Sequence, residues 1–333
     1  MRLSIKSANQ QTVEPANQLR RPPRRTATLR LITAIVVLLI AFAAVAGACG
    51  GDDDASGGDD KINVVTTLPL FADFVSNIGG DHVDVRSLLP LGADPHTFEA
   101  SPRDVETVTE AEIVFANGFD LEPSLIEIIE PNLPSSTELV LLGEEARNAG
   151  AATLEGSEEG EPINPHLWMD PKNARLYVAT IRDSLSDMDP EGAADYTDAY
   201  DRYAQEIDEA GSYVSNSVDT IPENVRKLVT THDAFGYFAD AFGLEVTEFV
   251  AESPSGDPSP EDIAEIAAVL EAQEVPAVFA EPQVHEEGEI LEQAATDAGV
   301  EVCVLYSDSL DAEVTSYIDL MRFNADELAR CLG

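Results

Sequence analysis

Positive charge is what this chain lacks most. Only 19 Lys and Arg stand against 63 Asp and Glu in 333 residues, a formal net charge of −44 at pH 7. A surface this anionic repels phosphate backbones, which excludes nucleic acid as a partner and makes cations the natural ones. The carboxylates read first as a solvated surface suited to a saline or acidic habitat, with the concentration of cations a secondary role. Low-complexity sequence is also missing. The 20 Pro and 21 Gly fall mostly at the ends of periodic segments, and a content of 44% hydrophobic and 6% aromatic residues excludes a globally disordered chain. No short internal repeat stands out. No His-Glu-x-x-His helix is present, so that zinc-protease signature is excluded. Histidines number five and cysteines three, few enough to weigh one at a time.

Long apolar runs are absent too, with one exception. Arg20, Arg21, Arg24, Arg25 and Arg30 lead into the uncharged run 31–48, which ends in small residues. This is the layout of a signal peptide over residues 1–48. Ala46-Gly47-Ala48-Cys49 resembles a lipobox, with Ala46 where Leu is usual, and Cys49 is then the lipidated residue. An uncleaved membrane helix is the alternative, since eighteen apolar residues just span a bilayer. The string GGDDDASGGDD at 50–60 suits a flexible tether, so 49–60 reads as a lipidated acidic linker. Either reading places the body outside the cytoplasm, anchored to the membrane. There Cys303 and Cys331 are candidates for a disulfide, the alternative being two separate buried thiols.

From residue 61 onward the chain is long enough for two ordinary domains, and β-rich runs alternate with helical periodicity. Strands are expected at 62–66, 83–89, 113–116 and 139–142, with helices at 70–78, 102–111 and 121–129. Ser101-Pro102 supplies an N-cap with Pro at the first helical position. Residues 143–164 read as a Gly/Glu-rich loop, and Asp170-Pro171 caps a helix to about 187. One long polar helix is expected from 189 to about 218, long enough to cross between two lobes. The alternation then resumes with strands at 225–231, 246–250, 278–280 and 302–306 and helices at 234–242, 260–273, 290–298 and up to 332. The fold class is therefore α/β, with two similar lobes at 61–188 and 221–333 joined by a long backbone helix at 189–220.

Three of the five histidines follow expected strands or lie in their loops: His96 in GADPHTFEASP, His166 in NPHLWMDP and His232 in TTHDAFGYF. Ligands of open α/β sheets collect outside the carboxyl ends of strands, so three imidazoles arriving there point to one cation in an interlobe cleft. Any one of them alone reads as an ordinary loop or capping residue. Together, these segments resemble those of the metal-binding solute receptors of ABC importers for zinc and manganese, from about Lys61 to the C-terminus. The resemblance implies two α/β lobes, a long backbone helix, and a metal held by His96, His166, His232 and a carboxylate. It places that carboxylate in a Tyr-x-Asp-Ser-Leu-like segment, matched here by Tyr306-Ser307-Asp308-Ser309-Leu310, which makes Asp308 the fourth ligand. Glu281, in Phe279-Ala280-Glu281-Pro282, is the alternative carboxylate or a supporting residue, and Glu99 is a third candidate. His82 and His285 lie in charged, turn-like surroundings and read as surface residues.

Manganese receptors of this kind often carry Glu at the third position, where this chain has His232. Three nitrogens and a carboxylate suit a four-coordinate Zn2+ site, with Mn2+ or iron as alternatives. The His-rich loop common in zinc receptors is replaced by Glu144, Glu145, Glu155, Glu158, Glu159 and Glu161. Ligating imidazoles must be neutral, so affinity is expected to fall as pH drops through roughly 6 to 6.5. The partners implied are a membrane permease and its cytoplasmic ATPase, with the receptor itself a monomer. Competing classes are a zinc hydrolase, which needs an open coordination position that Asp308 fills, and an adhesin whose metal merely stabilises the fold.

Overall fold

The runs Ile62–Thr66 (β1) and Ile113–Ala116 (β3) are almost entirely buried, so their backbone polar groups must be met by neighbouring strands. They meet each other. In the computed structural model, which describes residues 61–154, 162–251, 260–273 and 275–333, β1 pairs in parallel with β3 on one side and with Val83–Ser87 (β2) on the other. Glu138–Leu141 (β4) completes the order β2-β1-β3-β4. The segment 1–48, Cys49, the tether 49–60, the Glu-rich stretch 155–161 and Ser259 lie outside the described residues.

The second sheet repeats this plan. Lys227–His232 (β5) lies between Glu245–Ala251 (β6) and Ala277–Ala280 (β7), with Glu301–Val304 (β8) outside, all parallel in the order β6-β5-β7-β8. In each sheet the chain reverses its direction of travel between the first and third strands. That switch point opens a crevice at the strand carboxyl ends. The repetition is geometric, with little echo in the sequence beyond Thr66-Thr67 at the end of β1 and Thr230-Thr231 near the end of β5.

Pro69–Gly79 (α1), Pro102–Thr109 (α2) and Pro123–Asn132 (α3) each begin with Pro in the first turn, where a missing N–H costs nothing. Ser101 and Asp104 form a capping box on α2. Residues 143–148, expected within a loop, belong with Leu142, expected to end a strand, to the helix Leu142–Asn148 (α4), because Leu142 and Ala146, one turn apart, both bury. Pro171–Met188 (α5) is capped by the Asp170 side chain accepting from Lys172 N–H.

The long helix Ala193–Val218 (α6) starts four residues later than the sequence implies. Asp189 precedes Pro190, a pairing that disfavours helical backbone, and its carboxylate instead accepts from Gly192 N–H at 3.1 Å and Tyr196 OH at 2.8 Å. The 26 residues of α6 span about 39 Å and bury one stripe from Tyr196 through Tyr203 and Ile207 to Val218.

Gly236–Phe242 (α7) ends on left-handed Gly243, and Pro260–Gln273 (α8) and His285–Ala298 (α9) follow. The terminal helix Tyr317–Leu332 (α10) packs along α6 and touches α1. One apolar cluster runs from Ile62 and Phe71 in the first lobe to Phe279 and Leu305 in the second, so the two sheets share a core. The lobes and α6 belong to one compact unit, residues 59–333. Among the described residues no helix is long and apolar enough to cross a membrane.

Cys303 on β8 and Cys331 on α10 are joined by a disulfide, with Cα atoms 6.7 Å apart. Closing a loop with a sequence separation of 28 removes unfolded-chain entropy equivalent to about 3–4 kcal/mol. Cys331→Ser, or reduction, is therefore expected to lower Tm in thermal unfolding. An unchanged Tm under reductant would show that the bridge does not restrict the unfolded chain.

Candidate metal centre

His232 is the last residue of β5, and the strand's register carries it to the carboxyl edge of the second sheet beside the switch point. Asp308 lies four residues past β8, and His96 sits in the loop after β2. His166 directly precedes a single 3-10 turn, Leu167–Met169, whose three residues are fully buried. Ligand atoms of these four residues all lie within 4.8 Å of one another. His166 Nε2 is 3.3 Å from both His96 Nε2 and His232 Nε2. Asp308 turns both oxygens toward them: Oδ1 is 3.3 Å from His166 Nε2, and Oδ2 is 3.1 Å from His232 Nε2 and 3.7 Å from His96 Nε2.

Neither oxygen of Asp308 has a hydrogen bond of good geometry, although the side chain is wholly buried. A buried carboxylate without good hydrogen bonds is costly, and imidazole nitrogens set 3.3 Å apart repel when both present lone pairs. A cation at their centre resolves both conflicts, so the donor set fits a metal ion.

The far sides of two rings are fixed. His166 Nδ1 lies 2.9 Å from Asn164 Oδ1, and His232 Nδ1 lies 2.9 Å from Glu281 Oε1. In the neutral tautomer with Nδ1–H donating outward, each Nε2 would present its lone pair to the centre. Glu281 is thus on the side of His232 away from the centre. It is itself held by the hydroxyls of Thr231 and Ser307. Trp168 Nε1 donates to Ser307 O at 3.1 Å, linking the His166 turn to the Asp308 loop across the lobes.

Electrostatics follow from burial and these contacts. Burial drives His96 down to about 3, outweighing the attraction of Asp308, so its ring is neutral. Burial also opposes charge on His232, but Glu281 and then Asp308 overcome it and hold the imidazole well above its ordinary value. Burial is the largest single influence on Asp308 and opposes its charge, yet His166 and His232 keep it well below the usual carboxylate range. Asp94, buried beside this loop, is raised to about 6 by burial and by Asp308, against hydrogen bonds from His96 N–H and Thr97.

The remaining candidates lie elsewhere. Glu99 is exposed. His82 reaches Asp195 at 3.2 Å and Asp189 at 3.5 Å on the surface. His285 is exposed but opens α9, where a turn is expected from sequence. Asn164, Thr231, Ser307 and Trp168 carry supporting roles that sequence reasoning misses. Their signal was adjacency: each lies within two positions of a candidate ligand.

The first lobe holds a copy of the Thr231–Glu281 pair. Thr67 Oγ1 donates to Glu122 Oε1 at 2.9 Å, and the hydroxyls of Thr66 and Thr230 each donate to the carbonyl two residues on, Leu68 O at 3.0 Å and His232 O at 2.9 Å. Leu68 therefore stands where His232 stands in the second lobe. Without an imidazole to balance it, Glu122 is raised by burial to about 7, despite hydrogen bonds from Asn117 N–H at 2.6 Å and from Thr67.

The sequence profile of the family described as zinc-uptake complex component A, periplasmic, matches residues 64–331. Zinc-binding protein TroA of Treponema pallidum is 32% identical over 282 residues, covering 83% of this chain and 90% of that protein. Manganese-binding lipoprotein MntA of Halalkalibacterium halodurans is 30% identical over 269 residues, covering 80% of this chain and 86% of that protein. The solved structure of periplasmic zinc binding protein TroA from Treponema pallidum matches with a TM-score of 0.76 over 82% of this chain and 99% of that chain, at 32% identity. Paired parallel-sheet lobes, a buried donor set that fits a metal ion and the matched relatives together define the class: a metal-binding, substrate-binding protein of an ABC importer. Within that class the chain belongs to the zinc-uptake complex component A family, whose members are receptors and not enzymes.

Glu122 supplies a test of the supporting lattice. Its folded value near 7 exceeds the ordinary 4.5, so the protonated form is favoured on folding. The stabilisation is fully present below about pH 4.5 and is lost as pH rises through 7, a change on the order of 3 kcal/mol. Glu122→Gln should flatten the fall in unfolding free energy between pH 5 and pH 8, measured by chemical denaturation. Parallel profiles for the two proteins would remove Glu122 from this role.

Proposed function

We propose that this protein is an extracytoplasmic receptor, tethered through lipid on Cys49, that captures Zn2+ with His96, His166, His232 and Asp308 and delivers it to the permease of an ABC importer. The observation that carries the ligand assignment is the convergence of three Nε2 atoms on a buried carboxylate with no hydrogen bond of good geometry. Spacing supports zinc. Bonds of about 2.0–2.2 Å to a tetrahedral ion set its ligand atoms about 3.3–3.6 Å apart, against about 2.8–3.1 Å for an octahedral ion with the same bonds. The two printed nitrogen–nitrogen contacts are both 3.3 Å, at the tetrahedral spacing, while the contacts to Asp308 at 3.1, 3.3 and 3.7 Å are divided between its two oxygens. A nitrogen-rich donor set favours zinc as well.

Manganese is the second reading, and two observations favour it. Relatives named for manganese, such as MntA and the lipoprotein PsaA of Streptococcus mitis, are about as similar to this chain as TroA. Asp308 also presents both oxygens, which allows a fifth ligand atom. The anchored location draws on the signal-peptide layout before Cys49 and on relatives named as lipoproteins.

Calorimetric titration of the chelator-treated protein tests the reading. One site should appear, tighter for Zn2+ than for Mn2+, and His232→Ala should weaken it by at least about 100-fold. Tighter Mn2+ binding would reassign the cargo, and unchanged affinity in His232→Ala would remove that residue from the site.

A further inference from the structure

The backbone that presents Asp308 runs beyond the end of its sheet. β8 ends at Val304, and Leu305 N–H still donates to Ala280 O at 3.1 Å, but Tyr306 has left the ladder. Its N–H and C=O are nevertheless met, both by one side chain. Tyr306 N–H donates to Asn324 Oδ1 at 2.8 Å, and Asn324 Nδ2 donates back to Tyr306 O at 2.7 Å. Asn324 sits on α10, is fully buried, and offers its amide as a substitute for the next peptide group of a neighbouring strand.

A two-point contact of this kind fixes both the position and the tilt of the Tyr306 peptide. Asp308 is two residues further on. Neither oxygen of its carboxylate has a hydrogen bond of good geometry among the described residues, and its contacts are the imidazoles themselves. The aim of its oxygens is therefore inherited from the main chain of 306–307. Ser307 is held from the other side, by Trp168 Nε1 at its carbonyl and by Glu281 at its hydroxyl. The same helix also reaches the His166 turn, where Tyr317 OH donates to Trp168 O at 2.9 Å.

We infer that Asn324 is a positioning residue for the metal centre, setting the Asp308 carboxylate against the three imidazoles through the Tyr306 peptide. This rests on Asp308 being a ligand. Removing the amide strips the Tyr306 N–H and C=O of their partner and frees the 306–308 segment, so metal affinity should fall by about ten- to a hundredfold, as for other groups that orient ligands.

The test is a zinc titration of four proteins: the wild type, Asn324→Ala, Asp308→Asn and the double variant, with apo Tm recorded for each. Asp308→Asn keeps a neutral oxygen, so residual binding stays measurable. The expected result is at least a tenfold loss in Asn324→Ala that shrinks to within twofold in the Asp308→Asn background. Affinity within twofold of wild type in Asn324→Ala, with only the apo Tm lowered, would assign Asn324 a purely structural role and overturn the inference. An equal loss in both backgrounds would overturn it too, since the effect would not pass through Asp308. Wild-type affinity in Asp308→Asn would instead sink the ligand assignment itself. Should Asn324→Ala fail to fold, Asn324→Asp keeps the acceptor for Tyr306 N–H while losing the donor to Tyr306 O, and the same criteria apply.

Discussion

A carboxylate that finds no hydrogen bond of good geometry among the described residues, buried against three imidazole nitrogens, is the arrangement around which this molecule is organised. Left to themselves these groups would separate, turn toward water or find donors of their own. That they stay together places the burden on the scaffold. Asn164 and Glu281 hold the rings of His166 and His232 from behind, while Trp168, Ser307 and Asn324 hold the main chain beneath them. In the proposed receptor, that geometry serves the cation for which the four side chains are held ready.

The parallel sheets make such investment practical. Strand ends at a switch point leave backbone free of the ladder in the crevice, and side chains there are positioned by a rigid body rather than by a loop. β5 delivers His232 and β7 delivers Glu281 from adjacent strands, so the ring and the carboxylate behind it are in register by construction. The contributions of the first lobe, His96 and His166, come from connecting segments. They depend more on neighbours such as Asp94 and Asn164.

Much of this was legible in the sequence. Alternation of short apolar runs with 3.6-residue periodicity specifies the α/β class, and Pro at the helix start marks α2 and α5 closely, whereas α1 and α3 begin at Pro69 and Pro123 rather than at the expected 70 and 121. The four candidate ligands stand out because histidine is rare and because their segments resemble a known receptor family. What escaped reading depends on partners distant in sequence. Residues 143–148 of the helix Leu142–Asn148 looked like loop because Gly143 and a run of Glu hide two apolar residues one turn apart. Asn324 sits in an amphipathic helix with nothing local to distinguish it, since its partner is eighteen positions away. Glu122 and Thr67 meet only because β1 and β3 are neighbours.

The correspondence between Thr67–Glu122 and Thr231–Glu281 gives the molecule the character of an asymmetric dimer written on one polypeptide. Each half keeps a threonine hydrogen-bonded to a buried glutamate at the crevice end of its own sheet, although Glu122 lies six residues past β3 and Glu281 directly follows β7, and the halves differ in what rests on top, Leu68 in one and His232 in the other. Two equal halves would have offered a cation matching corners on a pseudo-axis. Instead, one half keeps the corner closed with an aliphatic plug and reaches the crevice by loops, leaving the other to supply the strand-borne imidazole. Functional asymmetry is thereby obtained from a symmetric architecture by the choice of a single side chain.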